Sequence, residues 1–345
     1  MKIAFISDAN TPGPLRHVTH PDDWQINGVE ALAWALHAQV WHGTELTLAA
    51  VNHLATFDAV IINLKHTLWP IVPDLHRALA GRAPLIGYQE GPSDHALQLD
   101  PQSLDRYLTA YRTVDRLLVY DTRAQDWFAH LRGDTQRRST THYLPLPVPV
   151  DIYPEYEIPW DDRPDDPPRI CLCQPVSAGR GAALALHLAA STGARVLLQG
   201  VDAAEIATVS RLIATAGGIP DMTTWTPWVP PRPDYPTSFL QRLAQCRLAL
   251  NLDTAQTYGR FCVDCAGLGV PCIGLSHNFM QTTFWPGLTI PHWYETSRLQ
   301  NKINLLKTPD VLHSTCNHAA RTLKPYAPQE IRAAFYQILH REPRI

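Results

Sequence analysis

Lysine and long hydrophobic runs are both scarce in this chain, and each absence excludes a class of function. Only five of the 29 basic residues are lysine, and the formal net charge of -3 is close to zero. Such a balance gives no chain-wide basic field that would attract nucleic acid or anionic lipid. No apolar run approaches the roughly 18 residues that a membrane-spanning helix needs. The cationic side chains are mainly arginines, which suit phosphate oxygens better than lysines do.

The cysteines follow no pattern that defines disulfides or a metal site. They number seven, an odd count with no signal peptide ahead of them, so we expect a reduced, cytoplasmic protein. Two close pairs, Cys171 with Cys173 and Cys262 with Cys265, invite comparison with zinc sites. The first pair falls on a predicted strand and the second on a predicted helix, whereas a structural zinc needs four ligands on suitable loops. We therefore predict core cysteines and no bound metal.

Length and periodicity indicate two domains of one kind. The chain has 345 residues, enough for two separate cores. Residues 2–7, 46–51, 57–64, 83–88 and 116–120 are predicted to be strands, most of them alternating with helical patterns. The same alternation restarts in the second half. Each half is therefore predicted to be an α/β domain with a parallel, doubly wound sheet.

A stretch dense in proline and aspartate separates the two halves. Residues 151–169 show no hydrophobic period and are predicted to be a linker and hinge. They divide an N-terminal domain, residues 1–150, from a C-terminal domain, residues 170–325. The remaining residues, 326–345, contain a predicted helix over 328–340 with an apolar stripe that must be buried.

The most informative stretch is residues 251–276, NLDTAQTYGRFCVDCAGLGVPCIGLS. A short strand leads through a polar loop to a helix that ends at Gly269, where a second strand begins. A loop of this kind, between the carboxyl end of a strand and a helix N-terminus, binds ligands in open α/β sheets because the first-turn amides favour an anion. Gly259 allows close approach of the backbone, and Arg260 adds a fixed positive charge. We predict that this unit is the floor of an active site.

The same stretch resembles the signature of the retaining glycosyltransferases of family 4 (glycosyl transferases group 1), which have the GT-B fold. In that signature two acidic residues eight apart flank a glycine and precede an alanine-rich helix that ends in Gly-x-Pro. Gln256 and Asp264 hold the two positions here, and the helix ends in AGLGVP. The resemblance implies that Asp264 binds a nucleotide's ribose and that Gln256, a neutral amide, lies near the donor sugar. Without the resemblance, the unit would be an ordinary helix–strand joint with Asp264 in solvent.

Further residues match the donor site of that family. Asn27 and Gly28 replace a glycine-rich turn that faces the donor phosphates, and Arg180 with Gly181 stands where the family has a diphosphate-binding Lys-Gly. A companion arginine of the family is replaced by Pro175. As isolated features these residues would be a turn before a helix and a surface arginine. The predicted donor-binding set comprises Asn27, Gly28, Arg180, Gly181, Trp228, Val229, Gln256, Thr257, Tyr258, Gly259, Arg260 and Asp264.

Two polar side chains of the first half complete the predicted site. His66 and Glu90 each stand just past a predicted strand, so both are expected at the carboxyl edge of the sheet. Together with Gln256 they form the predicted catalytic set, around the acceptor or the donor sugar. Histidine and glutamate at strand ends are also common as solvated or capping residues, and that alternative stays open.

The resemblance implies a GT-B glycosyltransferase with two Rossmann-like domains facing across a cleft that closes on the donor. The C-terminal domain would hold a nucleotide-diphosphate sugar, with UDP or GDP as the nucleotide, and the N-terminal domain a hydroxyl-bearing acceptor. Resemblance to family 4 implies retention of configuration, with no metal or other cofactor. The acceptor could be a glycan, a lipid, a small molecule or, against the charge balance, a modified nucleic acid. Two alternatives stay open, a decayed scaffold that binds a partner and a sugar-nucleotide epimerase of the same fold.

Overall fold

The computed structural model describes residues 1–7, 28–43, 46–89, 91, 95–132, 140–148, 150–172, 182–201, 203–224, 237–254, 258–292 and 294–340. The chain divides into two compact units. Unit 1 comprises Met1–Val148 and Pro325–Ile345, and unit 2 comprises Pro149–Lys324.

Strands and helices alternate in both units. The strands are β1 Ile3–Ser7, β2 Gln39–His42, β3 Ala59–Asn63, β4 Leu85–Tyr88, β5 Arg116–Val119, β6 Thr141–Tyr143, β7 Arg169–Leu172, β8 Arg195–Val201, β9 Ile219–Thr224, β10 Leu248–Asn251, β11 Cys272–Leu275 and β12 Thr289–Ile290. The helices are α1 Gly28–Ala35, α2 Leu48–Leu54, α3 Val72–Leu79, α4 Pro101–Thr113, α5 Gln125–Leu131, α6 Tyr153–Tyr156, α7 Ala182–Thr192, α8 Ala203–Thr215, α9 Thr237–Ala244, α10 Arg260–Gly267, α11 Phe279–Phe284, α12 Thr296–Leu305, α13 Pro309–Thr322 and α14 Pro328–His340.

Unit 1 is built on a parallel sheet with the strand order β2-β1-β3-β4-β5-β6. Strands β1, β3 and β4 are buried along their whole length. Their sequences are almost continuously apolar because a parallel sheet is covered on both faces. From β1 the sheet extends in both directions, to β2 on one side and to β3 on the other, which is the arrangement of a doubly wound sheet.

Unit 2 repeats this architecture with the strand order β12-β11-β10-β7-β8-β9, again with every pair parallel. Strand β10 lies between β7 and β11 in the middle of the sheet, and its four residues are buried. The two parallel, doubly wound sheets that the sequence predicts are therefore confirmed. The carboxyl end of β10 opens the stretch that the sequence singles out.

The last helix, α14, belongs to unit 1 although the chain reaches it through unit 2. Its apolar stripe is buried at Ile331, Phe335 and Ile338. Arg332 Nε donates a 2.7 Å hydrogen bond to the carbonyl of Ala35, the last residue of α1. The stripe that the sequence requires to be buried thus packs on the first domain.

One predicted strand of unit 1 is wrong. Residues 46–51 begin a helix instead, because Thr47 caps α2 by accepting the Ala50 amide at 3.2 Å. The second strand of the sheet is Gln39–His42, which pairs in parallel with β1. A short apolar run fits a strand and a buried helix equally well, and here the threonine cap decides in favour of the helix.

The segment predicted to be a linker is packed within unit 2. Arg163 is only 4 % exposed. Its guanidinium donates to the carbonyls of Leu268 at 2.7 Å and of Gly269 and Cys246 at 3.1 Å. These carbonyls lie at and beyond the carboxyl ends of α10 and α9, where unpaired acceptors and the helix dipole both favour a cation. The segment therefore holds the unit's central helices in place.

The described part of the chain lacks both a membrane-spanning helix and a cluster of metal-binding side chains. None of its helices combines the length and apolar character that crossing a membrane requires. Nor do any three histidine, cysteine, aspartate or glutamate side chains in it come close enough to hold a metal ion.

Candidate functional site

The site is centred on the connection from β10 to α10. Gly259 is the N-cap of α10 and has the left-handed conformation, with φ 86° and ψ 40°. A Cβ at this position would lie 2.2 Å from Oδ1 of Asn278. Glycine is therefore required twice, by its backbone angles and by the space available. On the strand side, His277 Nε2 donates to the carbonyl of Asp253 at 2.8 Å, which holds the start of the loop.

A buried polar network lies beneath this connection. Asn278 and Gln281 have no exposed surface. Asn278 Oδ1 caps α11 by accepting the Gln281 amide at 3.1 Å. The Gln281 side chain donates to the carbonyl of Cys272 at 2.9 Å and accepts from the thiol of Cys262 at 3.2 Å. A buried polar network whose members find partners specifies one arrangement, so the floor of the site is fixed.

Asp264 is the acidic group of the site, and two side chains hold it. Its Oδ1 accepts a 2.7 Å hydrogen bond from the Tyr153 hydroxyl and a 2.8 Å hydrogen bond from Arg260 Nε. The Asp264 side chain is 11 % exposed and that of Arg260 is 33 % exposed. Both of these hydrogen bonds are accepted by the same carboxylate oxygen, Oδ1.

Charge and burial act together on these partners of Asp264. Burial lowers the pKa of Arg260, but the charge of Asp264, its hydrogen bond to Arg260 and the neighbouring Tyr153 and Tyr258 together outweigh burial and raise the pKa above the ordinary range. Burial and, after it, the charge of Asp264 raise the pKa of the Tyr153 phenol well above its ordinary value. The arginine therefore stays a cation, and the phenol keeps the proton that it donates.

The cysteines around α10 are core thiols. Cys262, Cys265 and Cys272 are buried and form no disulfide. Burial raises the pKa of Cys265 to about 12 and that of Cys262 well above its ordinary value. The backbone beside them is held as well, since Trp285 Nε1 donates to the carbonyl of Cys262 at 3.0 Å. Protonated, enclosed thiols are poor nucleophiles and metal ligands.

Two of the predicted site residues of unit 1, His66 and Gly28, are among the described residues. His66 is exposed in the turn that follows β3, and its ring meets the Trp69 ring edge-on, with centroids 6.3 Å apart. The Trp69 indole is itself anchored, since Nε1 donates to the carbonyl of Leu64 at 2.8 Å. Gly28 is the first residue of α1. His66 therefore stands at the carboxyl edge of the sheet, where the sequence places it.

The turn after β4 is fixed by two side chains. The Gly91 carbonyl accepts hydrogen bonds from Gln89 Nε2 at 2.9 Å and from the Tyr120 hydroxyl at 2.6 Å. Gly91 has a φ of 82°, which glycine adopts without strain. Gln89 is 1 % exposed. A buried amide and a strand-end tyrosine thus shape this turn at the carboxyl edge of the unit 1 sheet.

The structure brings Tyr258, Gly259, Arg260 and Asp264 together on one loop–helix unit. Tyr258 is half-buried directly before Gly259. The other predicted site residues lie outside the described residues: Asn27, Glu90, Arg180, Gly181, Trp228, Val229, Gln256 and Thr257.

Sequence reasoning missed three side chains that build this site. Asn278 with Gln281 has the spacing of a helix cap, which could have been read from the sequence. The signal for Tyr153 is weaker and indirect. Gly267 is a glycine within a helix, and such a glycine commonly marks a place where another side chain packs closely against the helix. A Cβ at Gly267 would lie 2.2 Å from the Tyr153 ring.

The chain matches no protein-family model and, by sequence, no curated protein. Its structure, in contrast, is similar to solved structures. Anabaena HepE in complex with UDP-glucose is 12 % identical with a TM-score of 0.68, over 98 % of this chain and 99 % of that chain. Sucrose-phosphate synthase from Thermosynechococcus elongatus is 13 % identical with a TM-score of 0.69, over 98 % of both chains.

A third similar structure is an alpha-glucosyltransferase in complex with UDP and a DNA containing an HMU base. It is 10 % identical with a TM-score of 0.61, over 99 % of this chain and 100 % of that chain. Similarity at such low identity is similarity of fold. The chain thus has the two-domain α/β architecture of the GT-B glycosyltransferases, as the sequence predicts.

Proposed function

We propose that the chain is a glycosyltransferase that moves a sugar from a nucleotide-diphosphate sugar to a hydroxyl acceptor. The observation that carries the proposal is the group formed by Gly259, Arg260 and Asp264 at the carboxyl end of β10. It offers a helix N-terminus, a cation and a carboxylate side by side. Those are the groups that a diphosphate and a ribose require. HepE, which has the same fold over nearly its whole length, was solved with UDP-glucose.

The roles of the donor-site residues follow from their chemistry. Asp264 Oδ2 accepts from a ribose hydroxyl, while the first-turn amides of α10 and the guanidinium of Arg260 face the diphosphate. When the nucleoside diphosphate leaves, its negative charge must be neutralised. Cationic side chains and helix N-termini can provide this neutralisation without a metal ion. Arg180 is proposed as a second cation at the diphosphate, and Trp228 and Val229 as neighbours of the base.

The reaction itself is proposed to proceed with retention, as the resemblance to family 4 implies. His66, Glu90 and Gln256 are the proposed catalytic groups. Unit 1 is proposed to bind the acceptor, since His66 and the turn at Gly91 both lie at the carboxyl edge of its sheet. A hydroxyl on a glycan, a lipid or a small molecule is the proposed acceptor, and the charge of -3 argues against a nucleic acid.

Binding of UDP and GDP tests the donor site, with two arginine variants compared. Arg260 pairs with Asp264 four residues on, and Arg298 of α12 forms a similarly local pair with Glu295, the N-cap of that helix, at 2.6 Å. Arg260→Ala is expected to weaken nucleotide binding at least about tenfold, the loss of one charged hydrogen bond to phosphate. Arg298→Ala is expected to leave binding unchanged.

Calorimetry gives the dissociation constants for both variants. Equal affinity in wild type and Arg260→Ala would contradict the assignment of Arg260. Tight binding without turnover of any nucleotide sugar would favour the alternative of a scaffold that only binds, which the neutral Gln256 supports.

A further inference from the structure

A tyrosine from outside the motif reaches the acidic group of the donor site. Tyr153 lies in α6, near the start of unit 2, and is 1 % exposed. Its hydroxyl donates to Asp264 Oδ1 at 2.7 Å across 111 positions of sequence. The sequence predicts a linker for the segment around it, and Tyr153 is not among the predicted site residues.

Helix α10 leaves space for the Tyr153 ring. Gly267 lies on α10 next to Tyr153, and a Cβ there would come within 2.2 to 2.5 Å of ring atoms Cδ2, Cγ and Cε2. These are ring atoms of a fully enclosed side chain, which has no room to move aside. A side chain at Gly267 and the observed position of Tyr153 therefore exclude each other.

The hydrogen bond from Tyr153 fixes the orientation of the Asp264 carboxylate. Arg260 is on the same helix and holds Oδ1 from one side, while Tyr153 holds the same oxygen from another element. A carboxylate with one oxygen held by two donors has a fixed rotation, and its second oxygen is left to accept. That orientation suits the hydroxyls of a ribose, because a hydrogen bond from a hydroxyl depends on an acceptor oxygen held in a defined position.

We propose that Tyr153 is a positioning residue of the donor site that makes Asp264 selective for nucleotides carrying ribose hydroxyls. The inference rests on the proposed function, since it assigns the hydroxyls of the nucleotide to Asp264. It differs from a purely structural role, in which the phenol would stabilise unit 2 and affect all nucleotides alike.

Binding of UDP and of 2′,3′-dideoxy-UDP to wild type and Tyr153→Phe separates the two roles. The variant keeps the ring against Gly267 and removes only the hydroxyl. UDP binding is expected to weaken about three- to tenfold, the range of one hydrogen bond, whereas dideoxy-UDP binding is expected to stay within about twofold. Tyr326→Phe is the matched control, because Tyr326 is also buried but lies in unit 1, where its hydroxyl faces that of Tyr143.

A second variant perturbs the same contact from the side of α10. Gly267→Ala keeps the tyrosine hydroxyl but excludes the observed position of the ring, so, where its urea unfolding shows a folded protein, it is expected to produce the same selective loss of UDP affinity. A loss that is equal for UDP and dideoxy-UDP in either variant, or no loss at all, would overturn the positioning role and leave the proposed function intact. Failure of wild type to bind UDP or GDP would instead remove the proposed function and this inference with it.

Discussion

Substituting Gly259 by alanine tests the geometry of the site most sharply. Two separate terms oppose the substitution. A residue with a Cβ at φ 86° pays about 1 to 2 kcal/mol for the left-handed conformation. The new Cβ would also lie 2.2 Å from Asn278 Oδ1, so the cap of α11 must move, and a lost cap costs about 1 kcal/mol. Together, we expect unit 2 to lose about 2 to 3 kcal/mol of unfolding free energy.

Two other glycines of unit 2 separate these terms. Gly193 has a φ of 60°, and a Cβ added there would have no atom closer than 3.9 Å. Gly193→Ala is therefore opposed only by the cost of the left-handed conformation. Gly287 has an ordinary φ with nothing within 4 Å, so Gly287→Ala meets neither term. Urea unfolding followed by tryptophan fluorescence should rank Gly259→Ala as the least stable and Gly287→Ala as the most stable of the three. A Gly259→Ala protein as stable as Gly193→Ala would refute the contact with Asn278.

Two further predictions concern the residues around α10. Arg163→Ala removes the donor of the buried carbonyls of Cys246 and Leu268 and one donor of the partly buried carbonyl of Gly269. The variant is expected to lower the unfolding free energy by about 2 to 4 kcal/mol in urea titrations, whereas a change below about 1 kcal/mol would contradict the anchoring role of Arg163. Burial raises the pKa of the Cys265 thiol to about 12, so the thiol ionises more readily in the unfolded chain than in the folded one. The contribution of Cys265 to stability is therefore complete below about pH 8.5 and is lost as the pH rises toward 12. Urea unfolding at pH 8 and pH 10 should therefore show a smaller loss of stability for Cys265→Ala than for wild type, and equal losses would contradict the buried, protonated state.

The sequence predicts best where periodicity and capping agree. The helix over Pro328–His340 has the predicted bounds because its apolar stripe is long and regular. The β10–α10–β11 unit is likewise found where the polar loop and Gly269, with a φ of 62°, indicate it. In contrast, residues 46–51 were assigned to a strand because a short apolar run carries no decisive period.

The parts that sequence reasoning missed are contacts between distant residues. Tyr153 and Asp264 meet across 111 positions, and no local pattern encodes such a pair. Pro and Asp around Arg163 favoured a linker, yet the arginine side chain is buried against carbonyls of two helices. Composition describes the average behaviour of a segment, whereas one buried side chain decides where this segment packs.

Turnover of a nucleotide sugar is the measurement that decides whether the chain is a glycosyltransferase. The purified protein would be incubated with a panel of UDP- and GDP-sugars, with and without candidate hydroxyl acceptors, and release of the nucleoside diphosphate measured together with the products. We expect release from at least one donor, stimulated by an acceptor and abolished in Arg260→Ala but not in Arg298→Ala. No release from any donor, together with no binding of UDP or GDP, would contradict the proposed function.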